Sequence, residues 1–153
     1  MSAQTPSVHL AIESRLENID LVQVVVEEAL TRLELGEEAA QFVGIAVREA
    51  VANAIRHGNH EDPDKRVEID FQVEDGEVVI EVQDEGEGFD PSDVRDPLAD
   101  ENLMRPSGRG LLFMRNFMDT IEYASRPGGG TVVTLRKRLH ADRNQDPVAA
   151  GES

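Results

Sequence analysis

Three short stretches of this chain put polar side chains where apolar ones are expected, and each could do chemistry. Glu49 and Asn53 stand one turn apart in a segment that is otherwise apolar nearly all round, from Phe42 to Ile55. At about 100° per residue they continue the stripe of Phe42, Ala46 and Ala50. A carboxylate and an amide there are either paired inside the core or face a pocket. Asp84 continues the alternation of Val78, Ile80 and Val82, so it points to the apolar face of a strand. Gly86 and Gly88 follow it in Asp84-Glu-Gly86-Glu-Gly88-Phe, where the backbone can turn sharply and be approached closely. An acidic turn ending a strand would read the same way. Ser107-Gly108-Arg109-Gly110 leads into a helical pattern whose free amides suit an anion, phosphate above all. Arg105 and Arg109 add charge there, although a glycine-rich hinge has the same composition.

Other chemistries do not fit. His57 and His60 are three apart, but no third ligand stands at a convincing spacing for a metal. A calcium loop counted from Asp84 would need Glu at its twelfth place and finds Arg95. Neither Gly86-x-Gly88 nor Gly108-x-Gly110 carries the third glycine of a dinucleotide fingerprint, and there is no Walker A sequence. The chain has no cysteine, which excludes thiol catalysis and thiolate metal sites.

The elements that must position these groups are legible from periodicity. The 153 residues point to one domain, with 39% hydrophobic and 30% charged residues in an ordinary globular balance. Val8, Leu10 and Ile12 alternate as a short strand, and Leu16–Leu35 reads as a helix stopped by Gly36. A second helix is expected over Glu37–His57, opening with two acids and ending at Gly58-Asn59, with Asn59 capping its end. Val67–Val73 and Val78–Val82 form a hairpin about Asp75-Gly76. A long aperiodic stretch with Pro91, Pro97 and Pro106 follows, then a third helix over Leu111–Met118. Thr120–Ser125 and Thr131–Lys137 close the domain around Pro127-Gly-Gly-Gly130. This order predicts an α+β two-layer sandwich, a mixed, mostly antiparallel sheet with helices on one face.

Acids outnumber bases 31 to 15, for a net charge of −16. Such a chain is repelled by phosphate backbones, so neither nucleic acid nor an anionic membrane is an expected partner. The opening residues lack a basic n-region and an apolar h-region, and no apolar run approaches the roughly 20 residues of a membrane span. A cytoplasmic protein is the expectation.

Taken together, the motifs resemble those of one superfamily. Glu49-Ala-Val-Ala-Asn53-Ala-Ile-Arg-His57-Gly-Asn59 is similar to the N box of the ATPases that include gyrase, the histidine kinases and MutL-type repair proteins. Asp84-Glu-Gly86-Glu-Gly88-Phe resembles the first glycine box, Gly108-Arg-Gly110-Leu-Leu-Phe the second, and Gly130-Thr131-Val-Val the closing strand. Within that superfamily, Gly110-Leu-Leu-Phe-Met-Arg-Asn-Phe-Met-Asp119 and the short chain resemble the anti-sigma factor serine kinases. Neither a dimerisation helix with a phosphoacceptor His nor a transducer domain is expected within these 153 residues.

The resemblance implies a Bergerat-type ATP-binding fold over residues 8–139, with a mobile lid at about 85–107. Residues 1–7 and 140–153 are then flexible ends. It implies ATP or ADP with Mg²⁺ as cofactors, the metal held by the side-chain carbonyl of Asn53. Asp84 would accept a hydrogen bond from the adenine amino group, with Thr131 completing the contact and Gly86 and Gly88 admitting the base. Ser107, Gly108 and Gly110 would face the phosphates, Arg105 or Arg109 the γ-phosphate, and His57 belongs to the same nucleotide-binding set. Glu49 would be the general base for a protein serine, its pKa raised by burial. The implied partners are a sigma factor, a STAS-domain antagonist of the anti-sigma factor and a second copy of the chain. Two other functions share these motifs: a non-catalytic ATP-binding partner-switch module, and an ATPase with no protein acceptor.

Overall fold

A computed structural model describes residues 7–33, 35–87 and 117–139. In chain order these form β1 (Ser7–Glu13), α1 (Asn18–Arg32), α2 (Glu37–Asn53), a π-turn (Ala54–Gly58), β2 (Arg66–Glu74), β3 (Glu77–Gln83), β4 (Thr120–Ser125) and β5 (Thr131–Arg138). The expected lid beyond Glu87 lies outside the described residues, as do both chain ends and Leu111–Asn116 of the expected third helix.

The strands form one sheet in the order β1-β2-β3-β5-β4. Every described pairing is antiparallel, so the expected admixture of parallel strands is absent from these residues. The β2–β3 hairpin turns at Asp75-Gly76, both at positive φ (48° and 79°), which matches the twist of the flanking strands. Its register sets Phe71 opposite Ile80 and Ile69 opposite Val82, and Ile80 in turn faces Leu135 of β5. The period of two therefore sends Val67, Ile69, Phe71, Val78, Ile80, Val82 and Leu135 to one buried face.

Both helices cover that face. Ile19, Val22, Val26 and Leu30 of α1 recur at helical spacing and are all buried. α2 buries Val43, Ala46, Val47, Ala50 and Val51 in the same core. Gly36, at φ 96°, turns the chain into α2, and Glu37 and Glu38 lie in its first turn where the helix dipole favours anions. α1 is shorter than its apolar pattern suggests at both ends. At its start, Asn18 donates through Nδ2 to the Glu13 carbonyl (3.0 Å) instead of continuing a helix from Leu16. Arg48 ties α2 to α1 through Asp20 (2.6 Å) and Gln23 (2.9 Å).

Candidate functional site

α2 delivers Glu49 and Asn53 to the same side of the helix, and both side chains are half-buried. Burial pushes the Glu49 carboxyl above the ordinary glutamate range, and the nearby charges of Arg56 and Arg48 pull against that shift without cancelling it. Such a carboxyl holds a proton more tightly than a surface glutamate, which is what a general base requires.

Asn53 is the last residue of α2, and the chain then widens into the π-turn rather than continuing as the expected α-helix to His57. The turn is closed by the Asn59 amide donating to the Ala54 carbonyl (2.8 Å) and the Glu61 amide to that of Ile55 (2.7 Å). Single π-turns are frequent at functional sites. Here the turn sets Gly58 against the carboxylate of Asp84. His57 and His60 are exposed on the same bend, and no group of three or more His, Asp or Glu among the described residues could hold a metal.

Asp84 is 6% exposed, one of very few charged side chains buried this deeply among the described residues. Its parity with Val78, Ile80 and Val82 carries it to the core face, and its amide extends the β3–β5 ladder to the Thr131 carbonyl (3.0 Å). Its Oδ1 accepts from the amides of Gly86 (3.0 Å) and Thr131 (3.1 Å). Oδ2 takes no hydrogen bond from the described residues and abuts Gly58. A methyl group at Gly58 would overlap that carboxylate, and one at Gly130 would overlap the Asp84 carbonyl. The two glycines thus let three chain segments meet around one buried anion.

Asn59 caps the turn through its backbone amide, as expected, while its fully buried side chain reaches further. Its Nδ2 donates to Ser14 Oγ (2.8 Å) and the Arg66 carbonyl (3.1 Å), and its Oδ1 accepts from the Glu85 amide (2.8 Å). It joins the ends of β1 and α2 and the start of β2 to the residue following Asp84, so its role is long-range. A helix-end asparagine usually signals a local cap, which hides this role in sequence.

Arg126, in the β4–β5 turn, also bears on this point and carries no sequence signal. Its Nη1 donates to the Asp84 carbonyl (3.3 Å). The structure thus brings Asp84, Gly86 and Thr131 into direct contact and sets Glu49 and Asn53 on the helix that leads to them. His57 is placed outward. Gly88, Arg105, Ser107, Gly108, Arg109 and Gly110 lie outside the described residues.

Residues 12–137 match the family model of the histidine kinase-like ATPase domain. The chain is 36% identical to the anti-sigma F factor of Oceanobacillus iheyensis over 132 residues, 85% of this chain and 90% of that one. Identity to the anti-sigma F factor of Geobacillus stearothermophilus is 37% over 131 residues, covering 84% of this chain and 90% of that one. For Bacillus subtilis it is 33% over 133 residues, 86% and 91%. Among solved structures, the RsbU and RsbW domains of Rv1364c from Mycobacterium tuberculosis superpose with a TM-score of 0.65 at 22% identity, over 90% of this chain. The blue-light activated histidine kinase of Erythrobacter litoralis EL346 gives 0.55 at 22% identity, over 71% of this chain. This chain spans 33% of each of those two, and the likeness is one of fold.

The match over residues 12–137, carried by a five-stranded antiparallel sheet under two helices, makes this a histidine kinase-like ATPase domain. Within that class the chain belongs to the anti-sigma factor kinase family. No helix among the described residues is long and apolar enough to cross a membrane.

Proposed function

We propose that this chain is an ATP-dependent protein-serine kinase that also sequesters a sigma factor. The observation that carries this reading is that two carboxylates, one on α2 and one at the end of β3, stand in unlike environments. Asp84 is buried and held by backbone amides, so it is a fixed acceptor. Glu49 is half-buried and has its pKa raised, so it suits proton transfer.

Each residue then has one task. Asp84 accepts a hydrogen bond from the exocyclic amine of adenine, and guanine, with a carbonyl there, is repelled. Thr131 flanks the same edge. Asn53 presents a hard amide oxygen from the last turn of α2, a donor of the kind Mg²⁺ prefers. The metal, when bound, supplies neutralisation of phosphate charge. Glu49 takes the proton from a serine hydroxyl while that oxygen bonds to the γ-phosphorus and the bond to ADP breaks. The family resemblance adds Gly86 and Gly88 as the residues that admit the base, Ser107, Gly108 and Gly110 for the phosphates, Arg105 or Arg109 for the γ-phosphate, and His57 to the same nucleotide-binding set.

The acceptor protein is a STAS-domain antagonist, and its phosphorylation decides whether the sigma factor stays bound to a dimer of this chain in the cytoplasm. The anti-sigma F factor relatives support the sigma partner. The test is reconstitution: this chain, its sigma factor and the STAS protein are mixed with ADP or ATP, and complexes are resolved by size. Release of sigma by the STAS protein with its serine free, and no release once that serine is phosphorylated, is expected. Sigma retention that ignores the STAS protein would leave an ATP-binding module without a switch.

A further inference from the structure

We propose that Arg126 is a positioning residue for nucleotide selection, acting on the adenine-reading carboxylate of Asp84 through the backbone. This rests on the reading of Asp84 given above and adds a residue to that site.

Asp84 is held along its side chain by the amides of Gly86 and Thr131. Those contacts fix the carboxylate only if the peptide planes on either side are themselves fixed. The following residue is anchored by the buried side chain of Asn59, which accepts from the Glu85 amide. Asp84's own carbonyl is anchored by Nη1 of Arg126 at 3.3 Å. The guanidinium is in turn held between two carboxylates, Glu68 (3.9 Å) and Glu85 (4.0 Å). Glu85 accepts from the Arg66 amide (3.1 Å), which returns the network to β2.

Three features set Arg126 apart from an ordinary surface cation. It is three-quarters covered, so its hydrogen bond to a neutral carbonyl is shielded from water (side-chain exposure 23%). Its backbone is fixed at both ends of the turn: its amide donates to the Gly130 carbonyl (2.8 Å) and its carbonyl accepts from Gly129 (3.0 Å). Gly130 also packs directly against the Asp84 carbonyl, so the turn touches that peptide twice. A planar fork that spans two acids and a carbonyl is a task for Arg, and Lys can hold only part of it. Loss of the fork leaves the Asp84–Glu85 peptide held by Asn59 alone, and the carboxylate's aim loosens while the core beneath remains packed.

The experiment measures the dissociation constants of ATP and GTP, each with Mg²⁺, for the full chain and for Arg126→Ala, Arg126→Lys and Asp84→Asn, with melting curves for each. Arg126→Ala should weaken ATP about fivefold, the effect of one net hydrogen bond. GTP binding should hardly change, so the ATP-to-GTP preference narrows. Arg126→Lys should recover part of that preference. If Arg126→Ala keeps the wild-type preference while Asp84→Asn loses it, the role given to Arg126 is wrong and the adenine site stands. If Asp84→Asn also keeps the preference, the adenine site itself is misplaced. Equal weakening of ATP and GTP in Arg126→Ala, together with a lower melting point, would reduce Arg126 to a structural part.

Discussion

Gly58→Ala tests the meeting of the α2 end with Asp84 without replacing a charged or polar side chain. The added Cβ would sit 2.5 Å from Asp84 Cγ and closer still to Oδ2, which no real Cβ tolerates. The nearest atoms all belong to the Asp84 side chain, so relief must come from moving that carboxylate by roughly half an ångström or more. Its Oδ1 bonds to Gly86 and Thr131 are already 3.0 and 3.1 Å long, and such a shift breaks at least one. Overpacking costs about 1–3 kcal/mol, and losing one hydrogen bond to a buried charge about 1.5–3 kcal/mol more. A fall in melting temperature on the order of 10 °C follows for a domain of this size. ATP affinity should fall by about tenfold or more, since the acceptor proposed for adenine has moved. Gly76→Ala is the control: its Cβ meets nothing, but the φ of 79° strains it, so it should cost about 1 kcal/mol and leave ATP binding intact. Thermal melts and nucleotide titration read both effects. A Gly58→Ala protein that melts and binds ATP like wild type would refute the reasoning.

Glu49→Gln should stop serine phosphorylation by about 10²- to 10⁴-fold while keeping ATP binding, measured by labelled transfer beside titration. Its stability should also change with pH in a defined direction. Because folding raises the Glu49 pKa, wild type carries a penalty that grows as pH rises through the window above the ordinary glutamate value. Glu49→Gln should therefore melt higher than wild type at neutral pH, and the gap should close below that window; a constant gap counts against a buried carboxylate. Asp84→Asn should weaken ATP because the amide turns a donor toward either the adenine amine or the Gly86 and Thr131 amides, and calorimetric titration gives the loss. Asn59→Ala should cost about 3 kcal/mol, since the Glu85 amide and the Arg66 carbonyl lose their buried partner. Urea unfolding checks it, and a cost under about 1 kcal/mol would mean that water replaces the side chain.

What sequence could reveal depended on whether the signal was local. The β2–β3 hairpin was legible because Asp75-Gly76 stands between two strict alternations, and the observed register follows it. Asp84 was legible because parity alone places it on the core face, where it is 6% exposed. α2 was legible up to Asn53, but not the π-turn after it. Ala54-Ile55-Arg56-His57 has good helical composition, and it is Gly58 packing on Asp84 that goes with the wider turn. Asn59 and Arg126 were illegible as site residues for the same reason. Their partners are 26 and 42 residues away in sequence, and only the assembled sheet brings them together. α1 shows the opposite failure, its apolar pattern running past the ends where loop hydrogen bonds take over.

Phosphoryl transfer to a protein serine, with Glu49 as base, is the activity proposed for this chain. The most direct measurement incubates the pure chain and a STAS-domain protein with γ-labelled ATP and Mg²⁺, beside the Glu49→Ala variant, and follows label into phosphoserine. Label on serine is expected with wild type and almost none with Glu49→Ala, although both bind ATP. Label at the wild-type rate with Glu49→Ala, or free phosphate in place of phosphoserine with wild type, would contradict it.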